Sequence, residues 1–328
     1  MVTRFIDEHR DRKTAGLRWG VEPICAVLTK HGCGIAPSTY YAAKTRPCSL
    51  RSVRDAVVLE HVRRVHASPT IGRRLYGVRK VWHELAREQA RGEHLELGPV
   101  PRCQVERLMR AARLRGVRRD KTFVTTRPDP GAARPPDLVK RNFSATHPNE
   151  LWVVDFTYVP TWSGTVFSAF VTDVYSRRIV GWRTKATMPT ELPLDALEMA
   201  IWTRQQADEL IDGLIHHSDA GSQYTAIRYS NRLADAGALA SIGTVGDSFD
   251  NAMAESVIGL YKTECVRHEG PWRGVDDLEL ATLNWVWWFN EIRLHGEIGY
   301  VPPIEFENAY YRQINPQEQP FLGEPSLH

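Results

Sequence analysis

Three acidic residues stand out in the 328-residue chain because of what surrounds them. Asp155 lies inside an apolar run, Trp152-Val153-Val154-Asp155-Phe156, where a carboxylate needs a partner. Asp219 closely follows a second apolar run, Leu214 to His217, and Ala220-Gly221-Ser222 opens a loop after it. Glu255 follows Ala252-Met253-Ala254, an unusual setting for a free surface glutamate. Carboxylates from separate elements that converge on one point can hold two hard divalent cations, the arrangement used for in-line phosphoryl transfer. No Ser/His/Asp or Cys/His arrangement competes with this reading. His216 and His217 read as packed residues at a strand end rather than as acid and base.

The third carboxylate has to be chosen among Asp247, Asp250, Glu255 and Glu264. On a helix turning by about 100° per residue, Asn251 and Lys262 lie within roughly 40° of Glu255, and Glu264 faces the other way. Asn251, Glu255, Gly259 and Lys262 then form one stripe: an amide, a carboxylate, a gap for a phosphate backbone and a cation to meet it. Gln223 is a further candidate DNA contact, with helix capping as its alternative.

Positioning such a set requires an α/β layer, and the pattern after Asn149 supplies one. Residues 152–158, 166–174 and 178–184 read as an antiparallel meander with turns at Ser163-Gly164 and Tyr175-Ser176-Arg177. A helix over 193–206, a buried strand over 214–217, and helices over 226–236, 250–266 and 276–290 complete a mixed sheet covered by helices. The aromatic cluster Trp285, Trp287, Trp288 and Phe289 reads as the packed face of the last helix.

Charge divides the chain. Residues 1–148 hold 30 Lys and Arg against 14 Asp and Glu, a net +16; the remainder holds 12 against 25, a net −13. A basic half beside an acidic half fits a nucleic-acid-binding region joined to a metal-binding carboxylate site. Short helical stretches over 21–30, 37–44, 52–66, 73–89 and 100–114, broken by glycine turns, read as helix-turn-helix units. Arg73, Arg74, Arg79 and Lys80 are their candidate phosphate contacts. Arg127-Pro128-Asp129-Pro130-Gly131 and Arg134-Pro135-Pro136 mark a linker. The expected organisation is a basic helical region (1–117), a Pro-rich linker (118–148), a catalytic core (149–310) and a tail (311–328).

Five cysteines at irregular spacing fit reduced, mostly buried thiols; Cys25, His31 and Cys33 lack the second ligand pair of a zinc finger. No apolar h-region opens the chain and no run reaches membrane length, so a cytoplasmic protein without a membrane partner is expected.

The segments LWVVDFTYVPT (151–161), FVTDVYSRRIVGWR (170–183), IHHSDAGSQYT (215–225), DNAMAESVIGLYKTE (250–264) and FNEIRLHGEIGYVPPIE (289–305) resemble the integrase core of DDE-type insertion-sequence transposases. More narrowly they resemble the large product of the IS-three family, the group with the mycobacterial elements. Asp219 and Glu255 are separated by the 35 residues characteristic of that family, and Lys262 is its basic residue seven positions after the glutamate. APSTYYAAKTR (36–46) and YGVRKVWHEL (76–85) resemble the helical region that precedes its core. The chain departs from the family pattern at Ala220, where arginine or asparagine is common, and in HGEIGYVPPIE, where leucine usually precedes the glycine.

The resemblance implies a ribonuclease-H-like fold with Asp155, Asp219 and Glu255 as ligands of two Mg²⁺ (or Mn²⁺) ions. It implies cleavage at the element's 3′ ends, and attack by the freed 3′-OH on target DNA without a covalent enzyme intermediate. Its implied partners are the terminal inverted repeats, target DNA, further copies of the chain in a homo-oligomer, and a smaller upstream-frame protein. Two other readings remain at this point: a DNA-binding regulator using only the basic half, and a structure-selective nuclease that cuts without joining.

Overall fold

A five-stranded sheet, in the spatial order Ile179–Lys185, Gly164–Asp173, Leu151–Thr161, Ile215–Ser218 and Leu239–Ile242, organises the computed structural model. The structure describes residues 2–118, 139, 143–187, 191–218, 227–242 and 252–314. The chain divides into two compact units, 1–58 and 59–328.

In the first unit, α1 (Val2–His9) leads through a two-residue hairpin, β1 (Lys13–Thr14) and β2 (Leu17–Arg18), to α2 (Val21–Lys30) and α3 (Pro37–Thr45). Pro37 sits in the first turn of α3, where its missing N–H costs nothing. Ile6, Val21, Ile24, Cys25 and Tyr40 form the core. The helix α1 is absent from the sequence expectation: Ile6 is its single buried position, too little for periodicity to show. Cys25 and Cys265 are buried, whereas Cys33, Cys48 and Cys103 are exposed, so most of the thiols face solvent.

The helix α4 (Leu50–Ala67) spans the division. In the second unit, α5 (Val78–Ala90) and α6 (Arg102–Ala111) precede the sheet strands β3 (Leu151–Thr161), β4 (Gly164–Asp173) and β5 (Ile179–Lys185). Then come α7 (Glu191–Gln206), β6 (Ile215–Ser218), α8 (Ile227–Asp235), β7 (Leu239–Ile242), α9 (Ala252–Tyr261), a π-helical turn (Lys262–Val266), α10 (Arg267–Glu269), α11 (Val275–Glu291) and α12 (Pro303–Ile314). The helix expected from Arg73 begins only at Val78, because Arg73 and Arg74 take left-handed backbone at φ 48° and 61°. The sequence pattern also passes over β7 and α12.

β3, β4 and β5 form an antiparallel meander, and β6 and β7 add in parallel beside β3. The central strand is buried on both faces, which explains its unbroken apolar run. Trp152 and Val154 pack against Leu192, Ala196, Leu197 and Ala200 of α7 and Tyr229 and Leu233 of α8. Gly181 permits that approach: a Cβ there would stand 2.1 Å from the Ala196 carbonyl oxygen. On the other face, Leu151 and Val153 pack against Met253 and Ala254 of α9. Farther along that face, Phe170, Tyr261, Trp285 and Phe289 make an aromatic layer with ring centroids 4.9–5.8 Å apart. Trp285, Trp288 and Phe289 are buried as expected of a packed helix face; Trp287 is half exposed.

The helices before the sheet are fastened to the helices after it. Tyr76 Oη accepts from the Leu294 N–H at 3.0 Å, and Trp288 Nε1 donates to the Ile71 carbonyl at 2.9 Å. His83 stacks on Tyr300 with centroids 3.8 Å apart, and Arg87 pairs with Glu305 at 2.6 Å.

Candidate active site

Asp155 sits at the middle of β3, opposite Phe170 of β4, half-buried. Side chains alternate along a strand, so Asp155 shares a face with Leu151 and Val153. That is the face on which α9 lies. The Phe156 N–H donates to Asp155 Oδ1 at 2.8 Å, which fixes the carboxylate against its own backbone. Glu255 is in the first turn of α9, exposed, directly after the two residues that anchor the helix on β3. The structure therefore brings Asp155 and Glu255 to one face of the sheet. Asp219, Gln223 and Asn251, with Asp247 and Asp250, lie outside the described residues. The strand before Asp219 is described to Ser218, which stands in register with Val154, the residue before Asp155.

Glu264 is not available as a ligand. It is buried in the π-helical turn and accepts from Arg293 Nε at 2.8 Å and Nη2 at 2.6 Å. That turn also alters the stripe drawn on a regular helix. Gly259 is buried, and its carbonyl accepts from the Thr263 hydroxyl at 2.7 Å, so it is no gap for a DNA backbone. Lys262, half-buried, holds its ammonium 5.3 Å from the Tyr158 ring centroid, close to β3.

His216 and His217 are packed groups. His216 shares a 3.0 Å hydrogen bond with Tyr229, and burial pushes its imidazole down to about 3. His217 shares one of 2.9 Å with Ser241.

The four basic candidates near α5 separate into two pairs. Arg74 and Arg79 are exposed. Arg73 is paired with Glu269 and lies 5.1 Å from the Trp288 ring centroid. Lys80 is half-buried over the Tyr76 ring at 5.1 Å, and burial, reinforced by Arg293, brings its ammonium down to about 7 against the pull of Glu264. Arg73 and Lys80 are thus engaged within the chain, at a desolvation cost that a surface phosphate contact does not carry.

Sequence reasoning missed a buried ionic cluster behind the meander. Arg204 of α7 donates to both oxygens of Glu307 of α12, at 2.6 and 3.0 Å, and lies 3.6 Å from Asp173. Arg178 adds a 2.5 Å bond to Glu307, and the Asn149 and Ser176 N–H groups donate to Asp173 at 2.7 and 2.8 Å. No spacing rule joins these residues, since they come from three elements, β4, α7 and α12, and from the segments just ahead of β3 and β5.

A helix-covered sheet in this strand order, with Asp155 on the face that α9 covers and a basic helical region ahead of it, is the architecture of polynucleotidyl transferases of ribonuclease-H-like fold. Two integrase core domain models match residues 145–248 and 237–303, and an HTH-like domain model matches 52–122. The chain is 53% identical over 290 residues to the transposase of insertion element IS986/IS6110 from Mycobacterium tuberculosis, covering 88% of this chain and 99% of that protein. It is 45% identical over 302 residues to the transposase of element IS629 from Shigella sonnei, covering 90% and 94%. Among solved structures, the HTLV-2 integrase catalytic core domain aligns with 50% of this chain and 99% of its own, at 15% identity and a TM-score of 0.40. The chain belongs to the insertion-sequence transposases of the IS-three family, and it is a DNA-binding enzyme of transposition whose integrase core implies dependence on a divalent metal. The regulator and nuclease readings are not favoured. Among the described residues, no helix is long and apolar enough to cross a membrane.

Proposed function

We propose that Asp155, Asp219 and Glu255 are the metal-binding triad that cuts at the element ends and joins the 3′-OH strand to target DNA. The observation that carries this reading is the placement of Asp155 on the sheet face that α9 covers, with Glu255 in the first turn of that helix. The 35-residue interval from Asp219 to Glu255 supports the third member. The donor set is all carboxylate oxygen, which fits Mg²⁺ or Mn²⁺ better than softer ions. When bound, such a metal pair activates the attacking oxygen and stabilises the leaving one. The protein's own part is positioning: β3 and α9 hold two carboxylates on rigid elements, and the Phe156 N–H orients one of them.

Lys262, Asn251 and Gln223 are proposed to contact DNA beside the triad, with Lys262 meeting a backbone phosphate. Arg74 and Arg79 are the exposed candidates for phosphate contact on the helical region, with Arg73 and Lys80 supporting it from beneath. The working division remains a DNA-binding region over 1–117, a linker over 118–148, a catalytic core over 149–310 and a tail over 311–328. Two element ends have to meet in one reaction, which favours a homo-oligomer on DNA, assembled in the cytoplasm at the nucleoid. A smaller upstream-frame protein is its proposed companion.

The test uses labelled element ends, target DNA and Mn²⁺ or Mg²⁺. Joined products are expected from the parent chain and none from Asp155→Asn, Asp219→Asn or Glu255→Gln. Joining that survives any one of these substitutions removes that residue from the triad.

A further inference from the structure

Away from the sheet, His61, His94 and Glu96 gather on the helical region. His61 belongs to α4; His94 and Glu96 belong to the connection from α5 to α6. One ligand-type atom from each lies within 4.8 Å of the others. His61 Nε2 is 3.9 Å and His94 Nδ1 3.6 Å from the same Glu96 Oε1. The two imidazoles meet edge to face, with centroids 4.4 Å apart. These separations are too long for hydrogen bonds. His61 Nδ1 is moreover buried with no hydrogen-bond partner among the described residues. His94 adopts left-handed backbone at φ 52°, a conformation that costs a residue with a Cβ and must be held by its surroundings.

Burial pushes the His61 imidazole below its ordinary value; His94 and Arg64 add to this, and Glu96 and Glu88 oppose it. Glu88 itself is occupied by Arg64, at 2.5 and 2.9 Å.

We propose that His61, His94 and Glu96 form a site for a zinc-class dication, with two imidazoles, one carboxylate and a fourth position open to water. Ligands held about 2.0–2.2 Å from a tetrahedral zinc stand roughly 3.3–3.6 Å apart. Closing the observed gaps to that spacing takes movements of under about 1 Å at side-chain tips. Glu96 is 63% exposed, which leaves a path for entry. Imidazole nitrogen favours zinc, nickel or copper over magnesium, so this site differs in kind from the all-oxygen triad. Bound metal ties α4 to the α5–α6 connection inside the segment that matches the HTH-like domain, and so stiffens the DNA-binding region.

The test is a Zn²⁺ titration of the full chain in excess Mg²⁺, followed by calorimetry and by melting temperature. The background carries Asp155→Asn and Glu255→Gln to weaken the carboxylate site. One zinc per chain and a raised melting temperature are expected. His94→Ala and Glu96→Gln, each added to that background, should weaken binding by more than about 100-fold and abolish the melting shift. Each variant's melting shift is read against its own metal-free melting temperature, so a change in basal stability does not enter the comparison. Co²⁺ should bind without a thiolate charge-transfer band, which separates this site from the exposed cysteines. Failure of the parent to bind zinc, or undiminished binding in both variants, overturns the proposal.

Discussion

Arg293 grips Glu264 through two hydrogen bonds, from Nε at 2.8 Å and Nη2 at 2.6 Å, with both side chains buried. Nine positions earlier on the same run of helix, Glu255 is exposed. The same substitution should therefore act in opposite ways. Glu264→Gln leaves a buried guanidinium without its counter-charge and should cost about 3–5 kcal/mol of stability. Glu255→Gln should change stability by less than about 0.5 kcal/mol, as surface changes do. With Glu255 in the proposed role of metal ligand, the substitution should lower strand joining by at least ~10³-fold, because such a ligand is worth several kcal/mol to the transition state. Denaturant midpoints and joining rates on the two variants check this. A Glu264→Gln variant that keeps parental stability would show that the pair contributes nothing.

The Arg204–Glu307 pair predicts a pH dependence. Burial pushes the Glu307 carboxyl up, but the Arg204 guanidinium, aided by Arg178, brings it down to about 2 from an ordinary 4.5. A depressed carboxyl contributes stability that is fully present above pH 4.5 and disappears as pH falls toward 2. A fall of this size corresponds to roughly 3 kcal/mol. Asp173 works the other way, because burial raises it despite Arg204. Glu307→Gln should therefore be less stable than the parent at pH 7, and the gap should narrow toward pH 2. Urea unfolding from pH 7 to pH 2.5 reads it; a gap independent of pH would contradict the pairing.

The sheet was legible because its strands are long and apolar or alternate, and the expected bounds of β3, β4, β5 and β6 lie within a few residues of those found. β7 was not, since Leu239-Ala240-Ser241-Ile242 is four residues long with two small ones, and only its parallel contact with β6 makes it a strand. The π-helical turn was invisible too. A wheel at fixed angle carries the α-helical period through Lys262, whereas burial of Tyr261 and Cys265 and the Glu264–Arg293 pair favours a wider turn there. Asp155 was legible as a carboxylate out of place in an apolar strand. What Arg73 and Lys80 do was not: Glu269 lies 196 residues from Arg73 in the chain, and Trp288 lies farther still.

Lys80 should give the protein a stability that rises with pH. Its folded ammonium titrates near 7, against 10.5 in an open chain, mainly through burial. Below pH 7 the folded state carries the cost of a desolvated charge. Above it the folded lysine is neutral while the unfolded one keeps its proton, so unfolding becomes harder as pH rises. Lys80→Met should flatten this rise between pH 7 and 9. It should also be at least as stable as the parent at pH 7, because no charge is left to bury. Denaturant midpoints at pH 7, 8 and 9 measure both; an equal slope in parent and variant would return Lys80 to the solvent-exposed class.

Phosphate contacts can be told from structural cations by their salt dependence. Each neutralised phosphate adds about 0.9 to the slope of log affinity against log salt on duplex DNA. Lys262→Ala should weaken binding to element ends and reduce the slope by roughly that amount, and Arg74→Ala should do the same on the helical region. Arg73→Ala should instead lower stability: it breaks the pair with Glu269 and the stacking on Trp288 while removing no surface charge from a DNA path. Binding measured from 50 to 300 mM salt, with unfolding curves on the same three variants, separates the two roles. A full slope in Lys262→Ala would mean that its ammonium stays on the Tyr158 ring when DNA is bound.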